Sequence, residues 1–204
     1  MAKVPVAGRV KTRLAAELGV ATAVRFARGC AMALLGRVAG DARWQTTLAV
    51  TPDAGRFARI WPRGLARAPQ GGGDLGRRMQ GIFDRTAPGP LVIIGTDVPM
   101  IARAHVAAAF RLLGRHDAVF GPAGDGGYWL VGLSRRPRVL RPFGGVRWST
   151  SHALADTLAN LAGRSVACLP ALSDVDTPAD FARCASVFGR LVRHAPTEGP
   201  PSAN

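Results

Sequence analysis

The stretch Leu91-Val92-Ile93-Ile94-Gly95-Thr96-Asp97-Val98-Pro99 indicates how the rest of the chain is organised. Its four consecutive apolar residues are typical of a strand buried on both faces, such as a central strand of a parallel sheet. The apolar spacing over residues 101–113 then predicts a helix. Because open α/β sheets bind ligands beyond the carboxyl ends of such strands, Asp97 is the first candidate functional carboxylate. An Asp that only caps the following helix would occupy the same position.

Length and cysteine usage define the class of protein. A chain of 204 residues suits one α/β domain with its own core, and we expect that domain at residues 1–192, followed by a disordered tail at 193–204. The cysteines, Cys30, Cys168 and Cys184, lack the spacing of a zinc site or a disulfide framework. The scattered cysteines, and the lack of a signal peptide or of an apolar segment that could cross a membrane, indicate a cytoplasmic protein.

The charge is strongly positive, with 27 Lys and Arg against 13 Asp and Glu, a formal net charge of +14. Such a charge favours a polyanionic partner, either nucleic acid or a phosphate-rich substrate. The arginines are spread along the chain without interleaved aromatic residues, which argues against nucleic-acid binding as the main function. Lys3 and Lys11 are the only lysines, and both lie in the first dozen residues. A retained lysine indicates a site that requires a compact charge, although coincidence would give the same pattern.

Glycine-containing loops carry most of the other candidate residues. Residues 8–13 form a basic turn before a helix predicted at 13–18 with Thr12 as N-cap, an arrangement that can hold phosphate. Residues 70–76 contain three successive glycines, which suit close approach to a flat ligand or a flexible linker. At residues 124–127, Asp125 provides a second carboxylate, either beside a ligand or in the turn of a hairpin.

The last third of the sequence predicts a helix at 152–161 with Ser149 as its N-cap, and a strand at 165–169. His152 is interpreted as a surface or packing residue. Thr177 and Pro178 then mark the start of another helix. Asp174 and Asp176 precede it on an extended segment, and we expect one of them to face the site.

Taken in order, these motifs resemble a bacterial family of glycosyltransferase-A-like proteins, the radical-SAM/selenodomain-associated or arsenosugar-biosynthesis transferases, kin to MobA-type and 2-phospho-L-lactate guanylyl nucleotidyltransferases. The resemblance covers about residues 2–190. Each motif is weak alone, but six in the expected order are specific. They are Lys3-x-Pro5-x-x-Gly8-Arg9-x-Lys11-Thr12-Arg13-Leu14, Gly73-Asp74-Leu75-Gly76-x-Arg78, Gly95-Thr96-Asp97-x-Pro99, Gly121-Pro122-x-x-Asp125-Gly126-Gly127-Tyr128, Trp148-Ser149 and Asp174-x-Asp176-Thr177-Pro178-x-Asp180.

The resemblance implies an α/β, three-layer nucleotide-diphospho-sugar transferase fold with a mostly parallel twisted sheet. Members of the family have a strand before the phosphate loop, and this chain begins almost on the loop. We therefore expect the first strand to be missing or truncated, with a mis-assigned or truncated start as the favoured explanation.

The resemblance also implies a set of site residues. The phosphates would be held by Gly8, Arg9, Lys11 and Arg13, and the nucleobase by Gln70, Gly73, Asp74 and Gly76. The acceptor or sugar would lie against Asp125, Gly126, Gly127, Tyr128 and Trp148. Asp97 and Asp176 would hold Mg²⁺ or Mn²⁺, and the catalytic residues would be Lys11, Asp97 and Asp125. Phosphate oxygens and a few carboxylates are ligands that Mg²⁺ prefers.

The expected function is therefore a metal-dependent transferase that uses a nucleotide-activated donor, with a nucleotide-sugar-dependent glycosyltransferase as the first interpretation. The alternative is a nucleotidyltransferase that joins an NTP to a phosphorylated small-molecule acceptor and releases pyrophosphate. The glycosyltransferase pattern has two acids that flank one residue, whereas Thr96-Asp97-Val98 has a single acid, which is closer to the nucleotidyltransferases. A different class also remains open, a non-catalytic basic protein that binds nucleic acid or other anions, or a pseudoenzyme.

Overall fold

Two groups of strands form the centre of the protein in the computed structural model, which describes residues 1–173, 175 and 180–182. The first is a parallel sheet in the order β1-β2-β3, and the second has the order β4-β6-β5-β7. The strands are β1 (Ala2–Lys3), β2 (Thr47–Thr51), β3 (Ala66–Pro69), β4 (Leu91–Ile94), β5 (Ala118–Pro122), β6 (Tyr128–Leu133) and β7 (Val166–Cys168).

The direction of the strands is mixed. Strand β2 pairs in parallel with β1 and β3, and β7 pairs in parallel with β5, whereas β6 is antiparallel to both β4 and β5. The predicted α/β fold with a parallel sheet is confirmed. The prediction that β4 has parallel neighbours is wrong for β6, the second strand of the β5–β6 hairpin, which pairs with β4 in the antiparallel direction. An apolar run shows burial but not the direction of the neighbouring strand.

The two sheets meet at the first residue. The backbone nitrogen of Met1 donates a hydrogen bond of 2.5 Å to the Ile94 carbonyl oxygen at the end of β4. On its other side, β1 pairs with β2 through Ala2 and Lys3. The strand that was expected to be missing or truncated is therefore present with two residues. It lies between the end of β4 and β2.

Helices cover both faces of the strands. The helices are α1 (Thr12–Leu18), α2 (Val20–Val38), α3 (Leu75–Arg85), α4 (Arg103–Leu113) and α5 (Ala153–Ala159), with a 3₁₀ helix at Asp53–Phe57. Buried residues of α2 and α4 pack with Val119 and Leu130 on one face. Residues of α3 and α5 pack with Phe120 and Val131 on the other, so successive strand residues serve opposite layers. The three-layer arrangement expected from the resemblance is confirmed.

Several local predictions differ from the structure. Strand β3 and the 3₁₀ helix were not predicted, since Pro62 and Gly64 interrupt any pattern there. Lys11, not Thr12, is the N-cap of α1, and His152, not Ser149, is the N-cap of α5. The helix predicted at Thr177 and the tail at 193–204 lie outside the described residues. No helix in the described part of the chain is long and apolar enough to span a bilayer.

Gln70 links the strands of the first sheet. Its side chain is 3% exposed, and its Nε2 donates to the carbonyl oxygens of Ala2 (2.9 Å) and Ala49 (3.0 Å). Because β1 is so short, these contacts add to the few backbone bonds that hold it against β2. Gln70 therefore fixes the end of β1 from which residues 4–11 leave the sheet.

The substitution Gln70→Ala is expected to lower the free energy of unfolding by about 2 kcal/mol, because two buried carbonyl oxygens lose a donor. Urea-induced unfolding measures this loss. The matched control is Gln45→Ala at an exposed position, which should change the free energy by no more than about 0.5 kcal/mol. Equal effects of the two substitutions would contradict the role given to Gln70.

Candidate functional site

A cavity of about 900 Å³ opens where several strands end at one edge of the sheets. Lys3, Thr51 and Ile94, the last residues of β1, β2 and β4, line it, and so does Tyr128, the first residue of β6. This is the place where open α/β sheets bind ligands. The carboxyl end of β4, where the sequence predicted a ligand site, therefore borders this cavity.

Several cationic residues line the cavity. Lys3, Arg9, Lys11, Arg13 and Arg78 all line it, so both lysines of the chain lie at the same site. Lys11 has a left-handed backbone conformation (φ 46°), which a residue with a side chain seldom adopts. Gly8 does not line the cavity, but its positive φ of 71° forms the turn of the loop. The wall suits an anionic ligand, since the cations lie around one space.

The Asp97 carboxylate faces this cavity from the loop that follows β4. A Cβ atom at Gly95 would lie 2.6 Å from Asp97 Oδ1, so the glycine leaves the room that the carboxylate occupies. Burial lowers the pKa of the Met1 amine to about 6, and Asp97 acts in the opposite direction, which places Asp97 near the junction of the sheets. Asp97 is exposed to solvent, so its carboxylate is accessible to a ligand.

Asp125 lies in the turn of the β5–β6 hairpin, as the structural interpretation of its sequence predicted, and it also lines the cavity. Its Oδ1 accepts a hydrogen bond of 2.9 Å from the Gly127 backbone nitrogen, which fixes the carboxylate. Gly126 does not line the cavity; a Cβ there would lie 2.2 Å from the Ser151 carbonyl oxygen. The glycine therefore allows the hairpin turn to pack against the loop before α5.

Tyr128 and Trp148 form an aromatic part of the wall, with ring centroids 6.3 Å apart. The Tyr128 hydroxyl is buried beside Thr157, whose own hydroxyl donates to the Ala153 carbonyl oxygen (2.7 Å). Burial raises the pKa of Tyr128 well above its ordinary value, and Thr157 opposes this only in part. Tyr128 therefore stays protonated near neutral pH and presents its ring to the cavity.

The loop predicted to hold a nucleobase has mainly structural contacts. Gln70 lines the cavity, whereas Gly73, Asp74 and Gly76 do not. Asp74 is the N-cap of α3 and accepts a hydrogen bond of 2.7 Å from the Arg77 backbone nitrogen. At Gly73, φ is 88°, so this glycine permits the turn into the helix. Direct contact of these residues with a nucleotide stays a prediction.

Asp176, the second predicted metal ligand, lies outside the described residues. Its neighbour Val175 is 4% exposed and belongs to the buried cluster that contains Leu14 of α1 and Phe26 of α2. Within residues 1–173, 175 and 180–182, no three His, Cys, Asp or Glu side chains lie close enough together to hold a metal ion. The metal site therefore stays a prediction.

Several residues that line the cavity were not predicted as site residues. Arg78 occurs in the motif that follows the glycine loop, and Ser149 occurs after Trp148 in another motif, so both had a sequence signal. Thr150 and Ser151 had none. The segment that includes Ser149 is held by Arg147, whose Nε and Nη2 donate to the Asp156 carboxylate (2.9 and 2.7 Å). This ion pair holds the pKa of Asp156 well below its ordinary value.

The fold is that of the nucleotide-diphospho-sugar transferases. A protein of Desulfovibrio desulfuricans G20, provisionally assigned as such a transferase, is 30% identical over 91% of this chain and 84% of its own, with a TM-score of 0.78. Molybdopterin-guanine dinucleotide biosynthesis protein A of Archaeoglobus fulgidus has a TM-score of 0.52 at 13% identity, over 93% of this chain and 97% of its own. Rv0371c of Mycobacterium tuberculosis H37Rv has a TM-score of 0.56 at 18% identity, over 91% of this chain and 96% of its own. The last two show likeness of fold alone.

The chain belongs to the family described as an uncharacterized protein conserved in bacteria (DUF2064), whose model matches residues 34–150. No curated protein sequence matches the chain. These findings support the transferase-type fold that the sequence motifs implied. The narrower group, the arsenosugar-biosynthesis transferases, stays a prediction.

Gly76 provides a test of the contact between α3 and the Trp148 segment. A Cβ at Gly76 would lie 2.8 Å from Trp148 Cζ2 and 2.9 Å from the Phe143 carbonyl oxygen. Alanine normally stabilises a helix position relative to glycine, but here we expect Gly76→Ala to destabilise the fold by about 1–3 kcal/mol through overpacking. Urea-induced unfolding gives the sign of the change.

The matched control is Gly72→Ala, because a Cβ at Gly72 would meet no atom within 4 Å. Its effect should stay within about 0.5 kcal/mol. A stabilising effect of Gly76→Ala would contradict the packing described for Trp148.

Proposed function

We propose that this protein is a metal-dependent transferase that uses a nucleotide-activated donor, with a nucleotide sugar as the favoured donor. The observation that carries the proposal is the cavity of about 900 Å³, which is lined both by cationic residues and by Asp97 and Asp125. Its volume is in the range of cofactor and small-molecule sites. The provisional assignment of the 30% identical Desulfovibrio protein supports the same class of substrate.

The cationic residues would hold the phosphates of the donor. Arg9, Lys11 and Arg13 come from one loop and the start of α1, and Lys3 ends β1 next to them in the chain. When the bond to the leaving phosphate breaks, negative charge grows on that phosphate. Positive groups that are already in place stabilise such charge without reorganisation, and Lys11 is the residue proposed for this role.

Mg²⁺ or Mn²⁺ fits the proposed site because Asp97 is an accessible carboxylate in the cavity wall. Protein sites for Mg²⁺ often use one or two carboxylates together with substrate phosphates. Asp97 would hold the ion, with Asp176 as the second ligand. Support for Asp176 comes from Val175, which packs in the same buried cluster as Leu14 of α1. The ion would supply positive charge to the donor phosphates.

Asp125 is the candidate general base on the acceptor side. Its Oδ1 is fixed by the Gly127 backbone nitrogen, so Oδ2 is the oxygen proposed to accept a proton from an acceptor hydroxyl. Tyr128 cannot replace it as a base, because burial keeps the phenol protonated. The rings of Tyr128 and Trp148 would instead provide an apolar surface for a sugar or acceptor.

Nucleotidyl transfer is the second candidate. The loop that follows β4 presents one carboxylate, Asp97, in place of two acids that flank one residue. A fold like that of the Archaeoglobus molybdopterin-guanine dinucleotide biosynthesis protein A is compatible with this candidate but does not select it. The two reactions differ in the donor, because only the second consumes an NTP and releases pyrophosphate.

Thermal unfolding with a panel of NTPs, nucleotide sugars and free nucleotides, each with and without Mg²⁺, tests the proposal. A ligand at a hundred times its Kd should add about 2.7 kcal/mol of stability. We expect a stabilising shift with a nucleotide sugar that requires Mg²⁺ and is lost in Asp97→Asn. The control Asp84→Asn removes a carboxylate of α3 that does not line the cavity, and it should retain the shift.

If the Mg²⁺-dependent thermal shift occurs with an NTP instead, and pyrophosphate is released, the protein is a nucleotidyltransferase and not a glycosyltransferase. If no nucleotide stabilises the protein, both enzymatic interpretations are wrong. Co-purification with nucleic acid and a steep loss of binding with salt would then indicate the basic binding protein.

A further inference from the structure

Arg78 is the fourth residue of α3, and its side chain reaches the cavity wall. Its Nε donates to the Asp74 carbonyl oxygen (3.2 Å), and its Nη1 donates to Gln70 Oε1 (3.1 Å). A guanidinium group has five N–H donors, so these contacts leave both N–H groups of Nη2 for a ligand. The group is thus held in place with donors to spare.

Gln70 connects Arg78 to the strand that leads into the phosphate loop. Its amide nitrogen is fixed by the carbonyl oxygens of Ala2 and Ala49, and this fixes the orientation of the oxygen that accepts from Arg78. Ala2 directly precedes Lys3, from which the chain continues to Lys11. Arg78 and the basic loop therefore lie around the same end of β1.

We propose that Arg78 binds a phosphate of the nucleotide-activated donor and that Gln70 is the positioning residue that orients its guanidinium; this inference rests on the proposed function. A planar guanidinium with paired N–H groups matches the oxygens of a phosphate better than a lysine ammonium does. The neighbouring Arg77 gives the contrast within the same helix. It is exposed, does not line the cavity, and packs its Cβ and Cδ over Gly73.

The test is isothermal titration calorimetry of inorganic pyrophosphate with Mg²⁺ on the full chain. Arg78→Ala and the control Arg77→Ala each remove one positive charge from adjacent positions of α3, so any general effect of charge is matched. We expect Arg78→Ala to raise the Kd at least about tenfold and Arg77→Ala to change it less than about twofold. Arg78→Lys should also bind pyrophosphate more weakly than the wild type, because an ammonium lacks the planar pair of N–H groups that donates to two phosphate oxygens.

A double-mutant cycle tests the positioning role of Gln70. Gln70→Ala should raise the Kd for pyrophosphate in the wild-type background and have little further effect in the Arg78→Ala background, because both substitutions act through one guanidinium. A residue that only stabilised the fold would give equal effects in both backgrounds. Equal effects would therefore overturn the role given to Gln70.

Two further outcomes would overturn the assignment of Arg78. One is an equal loss of pyrophosphate binding in Arg78→Ala and Arg77→Ala. The other is a loss of malonate binding without a loss of pyrophosphate binding, which would assign the residue to a carboxylate. If Lys11→Ala abolishes pyrophosphate binding and the Arg78 variants do not, this inference fails and the proposed function stands. If pyrophosphate does not bind the wild type, this inference fails, while the proposed function is decided by the thermal shifts with nucleotides.

Discussion

Repulsion between the cations around one cavity is the constraint that the rest of the structure has to offset. The side chains of Lys3, Arg9, Lys11, Arg13 and Arg78 share one cavity, while among the described residues Asp97 and Asp125 are its lining carboxylates. Bringing cations together costs free energy in the unliganded protein, and an anionic ligand relieves that cost. The same arrangement therefore weakens the fold without ligand and favours binding of a polyanion such as a nucleotide.

The fold holds these charges at the junction of two sheets. Strand β1 has two residues, yet it lies between β2 and the end of β4, and Gln70 supports it from β3 and the loop that follows. Glycines allow close approach at the points where loops meet, as Gly76 does under Trp148 and Gly126 does against Ser151. The cavity is consequently assembled from distant parts of the chain on a buried scaffold rather than from one motif.

Much of this arrangement could be predicted from the sequence. Strand β4 matches the predicted apolar run, and α4 lies within the helix predicted at 101–113, because their apolar residues follow clear patterns. Asp97, Lys11 and Asp125 all line the cavity. The sequence indicated them because α/β folds bind ligands at the loops that follow strands. The identity of the sheet neighbours could not be predicted, since the antiparallel position of β6 depends on long-range pairing. The structural role of Gln70 could not be predicted, because its hydrogen bonds to Ala2 and Ala49 join distant parts of the chain and leave no local pattern. Its contact with a ligand stays a prediction.

The most direct test of the central claim is a crystal structure of the protein with Mn²⁺ and the nucleotide that gives the largest thermal shift. We expect anomalous density for Mn²⁺ within coordination distance of the Asp97 carboxylate, with the nucleotide phosphates against Lys11 and the basic loop. A nucleotide bound elsewhere on the protein, or Mn²⁺ held by carboxylates that do not include Asp97, would contradict the account.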